Sequence, residues 1–137
     1  MDYKYLDHTA DASFEAYGDT LAKAFSNAAI ALRGIMVESV EPKEEKEIIV
    51  TAKNEEALLF DFINEFVFLL DVESFLLSKV ISLTIEKVDE GFELKCVCMG
   101  DHHMHYDVKS VVKSATYNDM LVEKTDEGYR LRVVVDI

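Results

Sequence analysis

The sequence predicts an α+β domain, a two-layer sandwich in which two amphipathic helices pack on a largely antiparallel sheet. Two segments in the first half repeat apolar residues at spacings of three and four. The second half instead alternates apolar and polar residues between short turn signals. Helices segregated from antiparallel hairpins are typical of this class. With 137 residues, half of them apolar, residues 1–137 are expected to form a single domain.

Two strands and a helix are predicted in the first 36 residues. Residues 3–7 and 12–17 are suited to two short strands that flank a polar motif. Asp19 or Thr20 can cap the first turn of the following helix. One face of that helix is apolar and consists of Leu21, Phe25, Ala28, Leu32 and Ile35. This face should pack against the sheet.

A second strand and helix unit follows a charged segment. The segment "ESVEPKEEKE" at 38–47 is interpreted as a connection, and "EIIVTA" at 47–52 as a strand. Asn54 can cap the second helix, whose first turn is acidic. Its apolar face is wide, with Phe60 and Phe68 lying beside the two main apolar stripes. Such a helix is either nearly enclosed or carries an exposed apolar patch for a partner, and we favour enclosure.

Antiparallel hairpins are predicted from residue 79 onward. The alternation has a period of two, and "VDEGF" and "TDEGY" supply turns between the strands. The segment "DMLVEK" at 119–124 is one of these strands. About six strands are expected in the whole chain.

The charge of the chain argues against direct binding to nucleic acids. Lys and Arg number 14 and Asp and Glu 27, which gives a net charge of -13. Such a surface repels phosphate backbones, so direct nucleic-acid binding is not expected, whereas a cation or a basic partner is suited to it.

The amino-terminal residues do not resemble a secretory signal, and the longest apolar stretch is interrupted by acidic residues. We therefore expect a cytoplasmic protein that does not enter a membrane.

A cluster of cysteines and histidines, "CVCMGDHHMHYD", is the most obvious candidate for a transition-metal site. Cys96 and Cys98 are separated by one residue, however, whereas structural zinc sites generally separate such pairs by two to four. Strand alternation favours two buried core cysteines instead. His102, His103 and His105 are interpreted as part of a polar loop, with metal binding as the alternative.

Carboxylates near the two ends of the chain are a second candidate. Asp7 and Asp11 lie near the start, and Asp136 and the terminal carboxylate of Ile137 lie at the end. If the first and last strands converge, these oxygens suit a hard cation such as Ca²⁺ or Mg²⁺. Because Asp136 alternates with arginines such as Arg132, the residues alone favour a solvated charged edge.

Four segments resemble the archease family, a family of small acidic proteins. They are "DHTAD" at 7–11, "FEAYGDTLAKAFSNAAIAL" at 14–32, "VKSATYND" at 112–119 and "EGYRLRVVVDI" at 127–137. The resemblance covers essentially the whole chain in the family's order. It implies an α+β two-layer fold, in agreement with the pattern of the residues.

The resemblance implies a protein that is not itself an enzyme. Members of the family assist the RNA-splicing ligase that joins transfer-RNA halves, promote its guanylylation and multiple turnover, and broaden the nucleotides it uses. The implied partner is therefore this ligase. An alternative is a chaperone or modulator of a transfer-RNA cytosine methyltransferase, and a metal-dependent hydrolase is a less favoured third.

The resemblance also assigns site residues. Asp11, Asp136 and Ile137 match the family's metal site, with a divalent ion, calcium, as the expected cofactor. Asp7 and His8 match positions of the first motif and are possible functional residues.

The central motif adds Lys113 and Tyr117, which are expected to face the ligase. Asn118 departs from the family pattern, which usually has His after Thr-Tyr. A role assigned to that histidine does not carry over to this chain.

Overall fold

A computed structural model describes residues 1–6 and 11–137, and the predicted α+β class is confirmed there. Seven strands and two helices longer than one turn are found in these ranges. They are β1 (Tyr3–Leu6), β2 (Ala12–Gly18), α1 (Leu21–Met36), β3 (Glu44–Ala52), α2 (Glu55–Glu73), β4 (Phe75–Val88), β5 (Gly91–His102), β6 (Ser114–Thr125) and β7 (Gly128–Asp136).

The strands of the described chain form two antiparallel sheets, not the one sheet that we expected. The first sheet has the order β1-β2-β7-β6 and the second has the order β3-β5-β4. The long hairpin of β4 and β5 takes β3 as its third strand, while the first and last segments of the chain pair with each other. Residues from opposite ends of the sequence therefore become neighbours in the first sheet.

Both helices begin where their caps were predicted. The Thr20 hydroxyl accepts a hydrogen bond from the Lys23 amide at 3.1 Å, and the Asn54 side chain accepts one from the Ala57 amide at 2.8 Å. Helix α1 packs on β2 and β7 of the first sheet and on β4 of the second, whereas α2 packs on β6 and the second sheet. The helices thus join the two sheets around one core. Neither helix in the described ranges has the length and apolarity needed to cross a membrane.

Three element boundaries differ from the prediction. Strand β3 begins at Glu44, so part of the charged segment is a strand and not a connection: its charged side chains point outward while Ile48 and Val50 are buried. Strand β4 begins at Phe75 instead of residue 79, and β6 begins at Ser114 instead of residue 119. The extra residues show little alternation of apolar and polar side chains. They form strands because a neighbouring strand pairs with them.

The expectation that α2 is nearly enclosed was wrong. Phe68 is 51% exposed and Val72 is 63% exposed, while Phe60 is partly buried. The helix has β6 on one side and the second sheet on another, and its remaining face is uncovered. Periodicity showed a wide apolar surface, but it carries no information on where the covering sheets end.

We predict that Gly100→Ala lowers the free energy of unfolding by about 2 kcal/mol. A Cβ at this position would lie against the main-chain oxygen of Leu76 and 2.6 Å from the ring of Phe75, within the pairing of β4 and β5. Urea denaturation measures the effect. Val97→Ala, on the same strand but partly exposed, serves as the control. Equal stabilities of the two variants would contradict the prediction.

Candidate functional site

The pairing of β2 with β7 brings the two ends of the described chain together. These strands are antiparallel, and Ala12 lies opposite Val135 at the last pair. Asp11 directly precedes Ala12 and Asp136 directly follows Val135, so both carboxylates flank this last pair. The convergence that a cation site between these carboxylates required is therefore present at one end of the first sheet.

Strand β6 reaches the same end. Ser114 is paired with Asp136 in the register, and the Lys113 amide donates a hydrogen bond of 2.8 Å to the main-chain oxygen of Asp136. Residues from three of the segments that carry the family resemblance therefore meet here. We call the end formed by Asp11, Asp136 and Ile137 the acidic tip. Asp136 and Ile137 are exposed and Asp11 is half-buried.

The donor chemistry of the acidic tip suits a hard cation, because carboxylate and main-chain oxygens are the ligands that Ca²⁺ and Mg²⁺ prefer. Within residues 1–6 and 11–137, however, no group of three or more His, Cys, Asp or Glu side chains is arranged to hold a metal ion. The predicted set has two such side chains, and its third donor would be an oxygen of Ile137. Asp7 and His8 lie outside the described residues. The bound cation stays a prediction.

A buried carboxylate holds β2 to β7 four residues along the strands from the acidic tip. Glu15 lies opposite Arg132 and is 4% exposed. One of its oxygens accepts a hydrogen bond from Arg132 Nε at 3.0 Å and lies 2.9 Å from Arg132 Nη2 in an ion pair, and the other accepts a hydrogen bond from the Tyr17 hydroxyl at 2.9 Å. Burial raises the pKa of Glu15, but the hydrogen bonds from Tyr17 and Arg132 outweigh it and hold that pKa below its usual range. Burial and the adjacent Glu15 raise the pKa of Tyr17 to about 12.

The contact between Glu15 and Arg132 changes the interpretation of the arginines on β7. Arg132 is bound to Glu15, and Arg130 Nε donates a hydrogen bond of 3.0 Å to Glu123 on β6. Both arginines therefore have carboxylate partners on neighbouring strands other than Asp136. Glu15 was not predicted, although a single acidic residue between Phe14 and Ala16 in an apolar strand is a detectable signal.

Tyr117 lies on β6, an edge strand of the first sheet. The pairing of β6 with β7 is interrupted between Thr116 and Leu121, so residues 117–120 stand opposite one residue of β7. Such bulges redirect side chains. The Tyr117 ring stacks on Phe60 of α2 with 4.2 Å between ring centroids and 4° between planes, and it is still 56% exposed. The central motif is therefore on the surface.

The bulge also contains the residue that departs from the family pattern. Asn118 is exposed, and its main-chain amide donates a hydrogen bond of 3.3 Å to the Thr116 hydroxyl. The next residue, Asp119, has a φ of 53°, a left-handed conformation that Asp tolerates better than most residues. Asn118 is therefore presented to solvent next to Tyr117.

The two cysteines are core residues, as predicted. Cys96 and Cys98 are both fully buried in β5, and both are free thiols. Their side chains face the helices beside Leu94, which is equally buried.

The prediction of a polar loop is confirmed for His103 and His105, which lie in the connection between β5 and β6, but not for His102. His102 ends β5, and His103–His105 form a single 3₁₀ turn. Asp101, which is 4% exposed, organises this turn because its carboxylate accepts hydrogen bonds from the His102 amide at 2.8 Å, Nδ1 of His105 at 3.1 Å and the Tyr106 hydroxyl at 2.8 Å. This part of the described chain also lacks a group arranged to hold a metal ion.

We predict that Asp101 makes the fold sensitive to acid. Burial raises its pKa, but the hydrogen bonds from Tyr106, the His102 amide and His105 outweigh burial and lower the pKa from 3.8 to about 2. A carboxyl with a lowered folded-state pKa stabilises the fold above its unfolded pKa, and this contribution is lost as the pH falls from about 4 to about 2.

Urea denaturation at pH 5, 4 and 2.5 measures the effect. The midpoint should fall over this range, and Asp101→Asn should make the fall shallower without removing it, since the pKa of Glu15 is also lowered. Asp107→Asn, an exposed neighbour, is the control. Equal pH dependence of the wild type and Asp101→Asn would contradict the prediction.

Comparisons with known proteins agree on one family. The family model described as "Archease protein family (MTH1598/TM1083)" matches residues 3–137. The protein archease of Pyrobaculum neutrophilum is 39% identical over 141 residues, which cover 99% of this chain and 95% of that protein. Protein archease of Methanosarcina mazei is 33% identical over 139 residues, covering 98% and 95%.

Solved structures show the same fold. The solution structure of Methanobacterium thermoautotrophicum protein 1598 superposes with a TM-score of 0.86 at 33% identity and covers 98% of both chains. The crystal structure of a Thermotoga maritima archease, described as a possible chaperone, superposes with a TM-score of 0.58 at 20% identity, covering 98% of this chain and 96% of that one. The second likeness concerns the fold alone.

Proposed function

The chain belongs to the archease family, and from this membership and the acidic tip we propose that it is an accessory protein of the RNA-splicing ligase. It promotes guanylylation of the ligase, supports its multiple turnover in transfer-RNA splicing and broadens its use of nucleotides. The observation that carries the proposal is the meeting of three family motifs at one end of the first sheet. Ala12, which follows Asp11 in the chain, is paired with Val135 there, and Lys113 is hydrogen-bonded to Asp136.

The acidic tip is suited to hold a divalent cation. Asp11, Asp136 and an oxygen of Ile137 would bind it, and calcium is the expected ion. The cation would neutralise carboxylates that otherwise repel each other on neighbouring strands. Hydrogen bonds within the chain hold the three strands together. The Lys113 amide fixes β6 to Asp136, and the bond between Arg132 and Glu15 fixes β2 to β7.

Activation requires that the tip distinguish between states of the ligase. An accessory protein shifts an equilibrium only as far as its affinity for the two states differs, and a tenfold shift needs about 1.4 kcal/mol. The exposed Asp136 and the net charge of -13 favour approach to a positively charged active site. The tip binds the guanylylation-competent state more tightly and so increases its population.

Ligation of transfer-RNA halves with limiting ligase tests the proposal. We expect more than one product per ligase molecule only when this protein is added. The protein alone should neither join nor hydrolyse the substrate. Equal product with and without it would contradict the proposal, and substrate turnover by the protein alone would indicate an enzyme.

A chaperone or modulator of a transfer-RNA cytosine methyltransferase is a second candidate. The exposed side chains of Phe68 and Val72 favour it, because exposed apolar surface marks sites of protein contact. This function needs no cation, so protection of the methyltransferase from aggregation should survive chelation and Asp11→Asn. Loss of protection in either case would exclude it.

A metal-dependent hydrolase is the third candidate and has the least support. Such an enzyme needs a polar pocket beside its metal ligands. The cavity that Asp11 lines has a volume of about 320 Å³, at the small end of the roughly 300–1,000 Å³ typical of ligand sites, and Leu6, Ala12 and Ile35 contribute apolar surface to it.

A further inference from the structure

The uncovered face of α2 carries a line of apolar side chains. Phe60, Phe68 and Val72 are spaced by multiples of four residues, so they follow one ridge of the helix. Tyr117 extends this surface onto β6 through its stack on Phe60. We call these four residues the α2 ridge. Three of them, Phe68, Val72 and Tyr117, are more than half exposed.

The α2 ridge is held in a fixed position relative to β6. Asn64 lies on the same helical line, midway between Phe60 and Phe68, and its side-chain oxygen accepts a hydrogen bond of 2.8 Å from the Ala115 amide. The parallel stack of Phe60 on Tyr117 adds a second contact between helix and strand. A partner would therefore meet a preorganised surface, which lowers the entropy cost of binding.

The charges on the helix that carries the ridge are all negative. Helix α2 contains six Asp and Glu residues and neither Lys nor Arg. Glu65 and Asp71 lie three residues before and after Phe68, so both are its neighbours on the helix surface. In the described part of the chain, Glu73 is the only one of the six in an ion pair, with Lys46. An apolar centre within an acidic rim complements apolar side chains flanked by Lys or Arg.

The α2 ridge is also continuous with the acidic tip. Ser114 is paired with Asp136, and Tyr117 follows three residues later on the same strand. At about 3.3 Å per residue, this is a separation of roughly 10 Å. A protein that contacts the tip therefore has the ridge directly beside it.

We propose that the α2 ridge docks a segment of the ligase in which apolar side chains are flanked by Lys or Arg. This proposal rests on the proposed function and assigns different roles to the ridge and the acidic tip. The ridge supplies affinity because its exposed aromatic side chains become buried when the partner binds. The tip distinguishes the states of the ligase and so supplies activation.

Titration of limiting ligase with this protein tests the proposal by two separate readouts. Phe68→Ser and Tyr117→Ala should raise the concentration for half-maximal activation about tenfold, because they remove anchor residues, and should leave the plateau unchanged. Ile49→Ser is the matched control, since Ile49 is 57% exposed but lies on β3 of the other sheet. It should change neither quantity.

A charge variant tests the chemistry of the partner segment. Glu65→Lys combined with Asp71→Lys should raise the half-maximal concentration at low salt and reduce its dependence on salt, because added salt screens the attraction in the wild type. Thermal melts of all variants establish that they are folded.

The outcomes separate the two proposals. If the wild type activates the ligase and Phe68→Ser has the same half-maximal concentration, the ridge proposal is overturned. The proposed function is not affected by that result. A wild-type dimer that Phe68→Ser converts to a monomer in sedimentation would show that a second copy covers the ridge, and it overturns the proposal too. A wild type that does not activate the ligase overturns the proposed function and, with it, the partner assigned to the ridge.

Discussion

Asp136→Ala is expected to reduce ligase activation to the level of the ligase alone while the fold stays intact. The Asp136 side chain is exposed at the end of β7 and belongs to the proposed cation site. Its main-chain oxygen accepts the hydrogen bond from Lys113, and alanine retains that oxygen. The substitution therefore removes the carboxylate but not the pairing of β6 with β7. The number of products per ligase molecule in the limiting-ligase assay measures the effect.

Asp126→Ala is the control for this prediction. Asp126 is also exposed, and it carries the same charge, but it lies in the turn between β6 and β7 at the opposite end of these strands. It should activate like the wild type, and both variants should melt at the wild-type temperature. An unchanged multiple-turnover rate for Asp136→Ala would contradict the assigned role of the tip.

Arg132→Met is expected to lower the free energy of unfolding at pH 7 by about 3 kcal/mol. Methionine retains the apolar stem but removes the hydrogen bond and the ion pair to Glu15, whose side chain is only 5% exposed. A buried carboxylate would then be left with the Tyr17 hydroxyl and a distant Lys4, whose Nζ is 3.8 Å away. Urea denaturation measures the loss.

The pH dependence of this loss separates an unpaired charge from lost packing. Arg132 helps to hold the pKa of Glu15 below its usual range, so its removal lets burial raise that pKa. The unpaired charge then disappears when Glu15 is protonated, and the difference between wild type and variant should shrink in acid. Arg130→Met is the control, since its partner Glu123 is partly exposed, and it should cost less than about 1 kcal/mol. A difference that does not change with pH would indicate lost packing instead.

Local signals in the sequence predicted much of the fold. The capping residues Thr20 and Asn54 placed the starts of both helices, and the turns before Phe92 and Tyr129 placed two hairpins. Each signal lies within a few residues of the structure that it specifies. The division into two sheets was not predicted, because strand periodicity identifies the buried face of a strand but not its neighbours.

The candidate site depended on contacts that are distant in the sequence. The residues alone favoured a solvated edge for Asp136, because Arg130 and Arg132 alternate with it. Those arginines bind Glu123 and Glu15 across the sheet, which single-strand alternation does not reveal. The grouping of Asp11 with Asp136 was assigned by family resemblance, and the register of β2 and β7 pairs the residues next to them, Ala12 and Val135.

The fraction of ligase that carries the guanylyl group tests the central claim most directly. It is measured with labelled GTP after one round of ligation, when the ligase has released its nucleotide. We predict that this protein restores the guanylylated fraction and that Asp136→Ala does not. A ligase that regains the guanylyl group equally well without this protein would contradict the claim that the acidic tip promotes guanylylation.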